Sequence, residues 1–296
     1  MHRFLRAIGF SNLTERKELK ELLQNIVRKA RDRQYVSRED RTTLGEFSEI
    51  FGDDIGITVC GEFDDENEFF FDHYFPYLRS HLISSTEDIT VEKQAGNEAY
   101  LGVCDDMKMG ITLIFYLQNI VPYVKAQGEG RLPIRGTTLS LSALSDGGTI
   151  LMPLSKDERE KDSIKKKSKD RRTLLKEARA GNEEAIETLT LGDMDLYSQV
   201  SRKIQKSDLY TVVDTSFMPY GVECDQYSLI GEIQALRKVE NIMTGEGIYI
   251  LTLLCNEMEI DLCINEKDLY GEPEVGRRFK GNIWLQGCIH GEGLDQ

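Results

Sequence analysis

The chain is poor in the residues and runs that most quickly betray an activity. It has one tryptophan, four histidines and six prolines in 296 residues. No stretch approaches the ~20 consecutive apolar residues that a membrane helix needs, so no membrane span is expected. The opening segment Met1–Phe10 carries basic residues without a long apolar core or a small-residue cleavage site. It is not read as a secretory signal, and a cytoplasmic location is expected. The six cysteines, Cys60, Cys104, Cys224, Cys255, Cys263 and Cys288, are widely spaced with no Cys-x-x-Cys. That spacing excludes a dense disulfide framework. It leaves a zinc site from the four C-terminal cysteines as the lesser option, because structural zinc usually takes its ligands in close pairs. Reduced thiols acting as small core residues are expected instead.

Catalytic motifs are missing too. There is no His-Glu-x-x-His, no Gly-x-Ser-x-Gly and no glycine-rich phosphate loop ending in Lys-Ser or Lys-Thr. No catalytic residue, metal or cofactor is assigned. Asp64, Asp65, Glu66 and Glu68 lack calcium-loop spacing and read as a solvated hairpin turn. His73 and His81, in a Phe- and Tyr-rich stretch, read as structural.

Charge is abundant and uneven. The net charge is −14, and residues 207–296 carry 6 basic against 16 acidic side chains. Residues 155–172 are a charge run with Lys165-Lys166-Lys167 at its centre. Such a run cannot bury enough apolar surface to hold a fold, and it reads as a linker. Three regions follow: 1–154, 155–206 and 207–296. An acidic surface repels nucleic acid and anionic membranes.

Periodicity supplies the elements. Leu19, Leu22, Leu23 and Ile26 fall at helical spacing within residues 12–33. Residues 44–151 read as strands: hairpins over Ile55–Tyr74 and Tyr100–Leu117, with further strands at Ile89–Gln94 and Thr137–Leu144. Short helices are expected at 76–83 and 119–126. Three more are expected after the charge run, with Gly181 and Gly192 as stops and Asn182 and Asp193 as caps. The last third reads as five strands, Leu209–Ser216, Tyr227–Leu236, Ile248–Leu254, Met258–Ile264 and Phe279–Ile289. The last of them alternates Phe279, Gly281, Ile283, Leu285, Gly287 and Ile289 against polar neighbours. The predicted class is α+β: a mainly antiparallel N-terminal sheet with helices, a charged helical linker, and a small OB-like C-terminal barrel.

The best binding cluster is Arg277, Arg278, Lys280 and Trp284. Lys280, Asn282, Trp284 and Gln286 share the face of the last strand opposite its apolar one. A tryptophan beside basic residues is suited to stacking a planar ligand. The alternative for the same residues is internal packing for Trp284 and pairing of the arginines with Glu272 and Glu274.

Two stretches carry a family resemblance. One is Met1-His2-Arg3-Phe4-Leu5-Arg6-Ala7-Ile8-Gly9-Phe10-Ser11. The other runs from Glu177-Ala178-Arg179-Ala180-Gly181-Asn182 through Asp208-Leu209-Tyr210 and Pro219-Tyr220-Gly221-Val222-Glu223 to Gly276-Arg277-Arg278-Phe279-Lys280-Gly281-Asn282-Ile283-Trp284. Together they resemble an uncharacterised family of about 300-residue clostridial, Gram-positive proteins catalogued as a domain of unknown function. The resemblance implies a bacterial cytosolic protein and brings no activity or site residues.

The expected role is a non-catalytic binding or regulatory protein whose barrel meets a protein partner. A single-stranded nucleic-acid binder, using the barrel and the basic linker, is the first rival. An enzyme with a site between the two β regions is the second, and a cluster of perturbed ionisable groups in a deep cleft would favour it.

Overall fold

The computed structural model describes residues 2–38, 42–94, 98–132, 136–154, 170–171, 173–204, 213–292 and 294, with the side chains of 195–204 excepted. Residues 209–212 of the expected Leu209–Ser216 strand and most of the charge run lie outside the described residues; 213–215 carry no strand, and Ser216 instead opens the strand Ser216–Pro219.

A 3-10 helix, Arg3–Ile8, opens the chain and is followed by α1, Arg16–Lys29. The buried stripe of α1 is Leu19, Leu22, Leu23 and Ile26, the spacing that puts four side chains on one helical face. It packs over an antiparallel sheet in the order β1 (Asp32–Ser37), β2 (Thr43–Gly52), β3 (Ile55–Phe63) and β4 (Phe69–Leu78). Side chains alternate across a strand, so this sheet has two different faces. Phe47, Ile57 and Val59 form an apolar face, each at most 2% exposed. Asp32, Gln34, Glu46, Ser48, Thr58, Phe75 and Tyr77 fall on the other, in register across all four strands.

The helix expected at 76–83 is not formed. β4 continues through Pro76 to Leu78, paired with Ile55–Ile57 of β3. Pro76 cannot donate to a ladder, but β4 is an edge strand and tolerates it.

The chain then gives β5 (Ile89–Lys93), β6 (Tyr100–Cys104) and β7 (Leu113–Leu117), the helix α2 (Ile120–Gly128), and the long strand β8 (Thr138–Leu151). Beyond the charge run, Asn182 accepts from the N–H groups of Glu184 and Ala185 and caps α3 (Glu183–Ile204). α3 runs straight through Gly192, where a stop was expected. An interior glycine costs a helix only about 1 kcal/mol, too little to end one unaided.

The remaining strands are β9 (Ser216–Pro219), β10 (Gln226–Glu240), β11 (Gly247–Cys255), β12 (Met258–Asn265), β13 (Leu269–Tyr270) and β14 (Arg278–His290). Four of them close a ring with β8. β10, β11 and β12 form an antiparallel meander, β14 pairs β10, and β8 pairs antiparallel with β14 and parallel with β12. The barrel thus takes its fifth strand from residues 138–151 and draws on both sides of the charge run. Its interior holds Leu141, Ala143, Tyr227, Leu229, Leu253, Leu262, Phe279, Ile283 and Leu285, each at most 1% exposed. Gly148 and Gly281 leave the room that the Phe279 ring occupies; a Cβ on either would run into it. The molecule is mainly β, with few helices around a closed five-stranded barrel.

Candidate functional site

The site follows from the outward face of β14. Opposite the interior set, this strand presents Lys280, Asn282, Trp284, Gln286, Cys288 and His290, as its alternation requires. That face is covered at Trp284 and Gln286 and half-buried at Lys280, Asn282, Cys288 and His290. At Trp284 and Gln286 it is met by His2 and Phe4 at the N-terminus and by Pro76 of β4. Gln286 donates to the Pro76 carbonyl at 2.8 Å, and Trp284 is 5% exposed.

The predicted binding cluster is therefore dispersed. Trp284 donates its indole N–H to Asp225 at 2.7 Å and packs against His2, Phe4 and Tyr116, with centroids 4.6, 5.6 and 5.2 Å away. Its ring is not presented for stacking a base from solvent. Arg278 is 3% exposed and donates to the carbonyls of Met152 and Val213. It ties together the two flanks of the segment between residues 154 and 213, and burial lowers its pKa. Arg277 pairs with Glu274 at 3.0 Å and donates to the Glu272 carbonyl, the pairing alternative for this residue. Lys280 is half-buried on the Trp284 face. Arg278, Lys280 and Trp284 share β14, with Arg277 just before it, and the four form no common open surface.

At the far end of β14 the strand and the sheet part. A cavity of about 330 Å³ opens between Cys288 and His290 on one side and the polar face of the sheet on the other. Volumes of this size hold small-molecule ligands. Asp32, Ser48, Thr58 and Phe75 form one cross-strand row of its wall, with Ser48 and Thr58 joined by a 2.8 Å hydrogen bond. Arg79 lies over the Tyr77 ring at 5.6 Å and 3.8 Å from Asp32 at the more exposed margin.

Two buried groups define its chemistry. The Tyr77 hydroxyl is buried with no hydrogen-bond partner among the described residues. Burial pushes its pKa up to about 12, so it stays an O–H donor. The ring sits where Gly56 has no side chain; a Cβ there would strike the hydroxyl. Glu46 is 5% exposed and accepts from the Val121 N–H at 3.3 Å, at the start of α2. Burial raises its carboxyl to about 8, so the neutral acid predominates at neutral pH. Cys60, beside it, is raised as well by burial and by the Glu46 charge.

The surrounding frame is fixed. The Gln118 amide donates to the Leu78 carbonyl, Ser142 and Gln286, joining sheet and barrel. Asn119 exchanges hydrogen bonds with the Ile289 backbone, and His290 bonds Ser140 at 2.8 Å. Among the described residues no group of three or more His, Cys, Asp or Glu is placed to hold a metal ion. No described helix is long and apolar enough to cross a membrane.

Glu46, Tyr77 and Asp32 were not singled out from the sequence. One signal was present for Glu46: an acid set between Leu44 and Phe47 in a strand that also carries Phe51 and Ile50. An acid at such a position is buried, paired or functional.

Fold and site define a class: a mainly β protein with a closed barrel joined to a second sheet across a polar, partly enclosed cleft. The chain belongs to the family described as "Domain of unknown function, E. rectale Gene description (DUF3881)", whose model matches residues 5–287. No curated protein and no solved structure matches it.

Proposed function

We propose that the protein binds a small polar molecule in the cleft between the four-stranded sheet and β14. The carrying observation is the buried hydroxyl of Tyr77, a cleft-lining residue, which has no partner among the described residues. An unsatisfied buried donor costs about 1–3 kcal/mol, and a ligand acceptor placed over it would recover that cost. The neutral Glu46 carboxyl adds a second donor, and the Phe75 and Tyr77 rings supply an apolar wall. This reading puts the function in the cleft rather than on the barrel's exterior, because Trp284 and Gln286 on β14's outer face are buried. The burial of Arg278 and Trp284 weighs against the nucleic-acid reading.

We read the barrel as OB-like in a permuted order. With β8 counted last instead of first, a three-strand meander is followed by two strands, the final one parallel to the third.

A second reading has one observation in its favour. A carboxyl held protonated near neutral pH is the state a general acid needs, and Glu46 would fill that role in an enzyme acting within the cleft. Melting temperatures against a panel of neutral and zwitterionic metabolites test the binding proposal. A hit should raise the melting temperature of the wild type and lose most of that effect in Tyr77→Phe. No hit across the panel, or equal shifts in both proteins, counts against it.

A further inference from the structure

A second cavity, of about 340 Å³, lies on the other side of Phe75, which lines both. Its floor is aromatic, made by Phe4, Phe75, Tyr116 and Trp284, with Tyr74 at the side. A β-bulge shapes one wall. Cys60 faces His73 and Gly61 faces Phe71, so Asp72 is the extra residue. Bulges re-aim side chains next to sites. Here the bulge sets Asp72 against His73 Nδ1 at 2.8 Å, while His73 Nε2 meets the Tyr116 hydroxyl at 2.8 Å. Both imidazole nitrogens of His73 are thereby engaged.

His2 is different. Its Nδ1 is buried in this cleft with no partner among the described residues. Burial, and then nearby positive charge including that of Arg3, lowers its pKa to about 4, so the ring is neutral at neutral pH. In the Nε2–H tautomer Nδ1 is a lone-pair acceptor on a side chain that lines the cavity. The opposite wall carries the carboxylates of Glu223 and Asp225. Among the described residues Arg3 is the one lysine or arginine of the lining; it is committed to Asp146 at 3.3 Å and Gln226 at 3.0 Å, and its guanidinium lies over the Phe4 ring at 4.6 Å.

We propose that this second cleft binds a small organic ammonium ion. Aromatic faces attract a cation through the ring quadrupole, the carboxylates neutralise it, and the His2 lone pair accepts one of its N–H groups. The net charge of −14 favours its approach. The site is separate from the polar cleft and does not depend on it.

Trp284 is the only tryptophan, so its fluorescence reports on this cavity alone. Three probes share a phenyl ring and chain: phenethylamine, a cation at pH 7; 2-phenylethanol, which is neutral; and phenylacetate, an anion. Phenethylamine should give a saturable fluorescence change matched by calorimetry, with 2-phenylethanol about tenfold weaker or more and phenylacetate silent. Asp225→Asn keeps an acceptor for the Trp284 N–H, and Glu223→Gln changes an exposed residue. Each should weaken phenethylamine severalfold with the circular dichroism spectrum unchanged, whereas Tyr77→Phe should leave its affinity as it was. Equal or tighter binding of the alcohol or the acid overturns the proposal, as does no calorimetric binding of phenethylamine at millimolar concentration or indifference to both carboxylate substitutions.

Discussion

The two faces of the β1–β4 sheet differ in everything except backbone. One carries Phe47, Ile57 and Val59 beneath α1 and holds the region together. The other carries Glu46, Ser48, Thr58 and Tyr77, is enclosed against the barrel, and contains an unsatisfied hydroxyl and a neutral acid. A face buried for stability alone would be apolar and satisfied, as the α1 face is. The contrast separates a packing surface from a surface kept for chemistry.

The largest effect that sharpens the contrast belongs to the packing face. Ile57→Ala removes a fully buried side chain and should cost about 2–5 kcal/mol in denaturant unfolding. The second tests the acid on the cleft face. Burial raises the Glu46 carboxyl in the folded protein to about 8 from its ordinary 4.5. The folded protein therefore holds a proton that the unfolded chain has released. This contribution is fully present below about pH 4.5 and is lost as pH rises through 8. Over that window it amounts to a few kcal/mol at most. In Glu46→Gln the fall in stability between pH 5 and 8 should flatten, and an unchanged slope in paired pH–melting curves would break the assignment. Third, Gly56→Ala places a Cβ against the Tyr77 hydroxyl and the Glu49 carbonyl and should cost about 1–3 kcal/mol. Smallest is Tyr77→Phe, which deletes the orphan hydroxyl. The ligand-free protein should be unchanged or stabilised by up to about 1 kcal/mol; a clear loss of stability would mean the hydroxyl has a partner in the folded protein.

Much of the local structure was legible in the chain. Leu19, Leu22, Leu23 and Ile26 mark α1, and the alternation in Met258–Ile264 and Phe279–Ile289 marks β12 and β14. The parity of β14 even placed Trp284 and Gln286 together on the non-barrel face. What covers them there was not legible, because it comes from His2, Phe4 and Pro76, more than two hundred positions away. The Thr137–Leu144 segment was recognisable as a strand, but nothing local says that it pairs β12 and β14 and closes the barrel. The helix expected at 76–83 failed for a related reason: pairing with β3 decides the conformation of Pro76–Leu78, and local preference does not. The cleft was invisible for the same cause. Asp32, Glu46, Thr58 and Tyr77 sit on four strands and meet only through register.

The most direct test of the central claim is native mass spectrometry of the protein incubated with a polar-metabolite extract, set beside Tyr77→Phe treated identically. The account predicts a bound small molecule on the wild type at near one-to-one occupancy and its loss or marked depletion on the variant. The same adduct at the same occupancy on both proteins, or no adduct on either, would contradict the assignment of the polar cleft as the binding site.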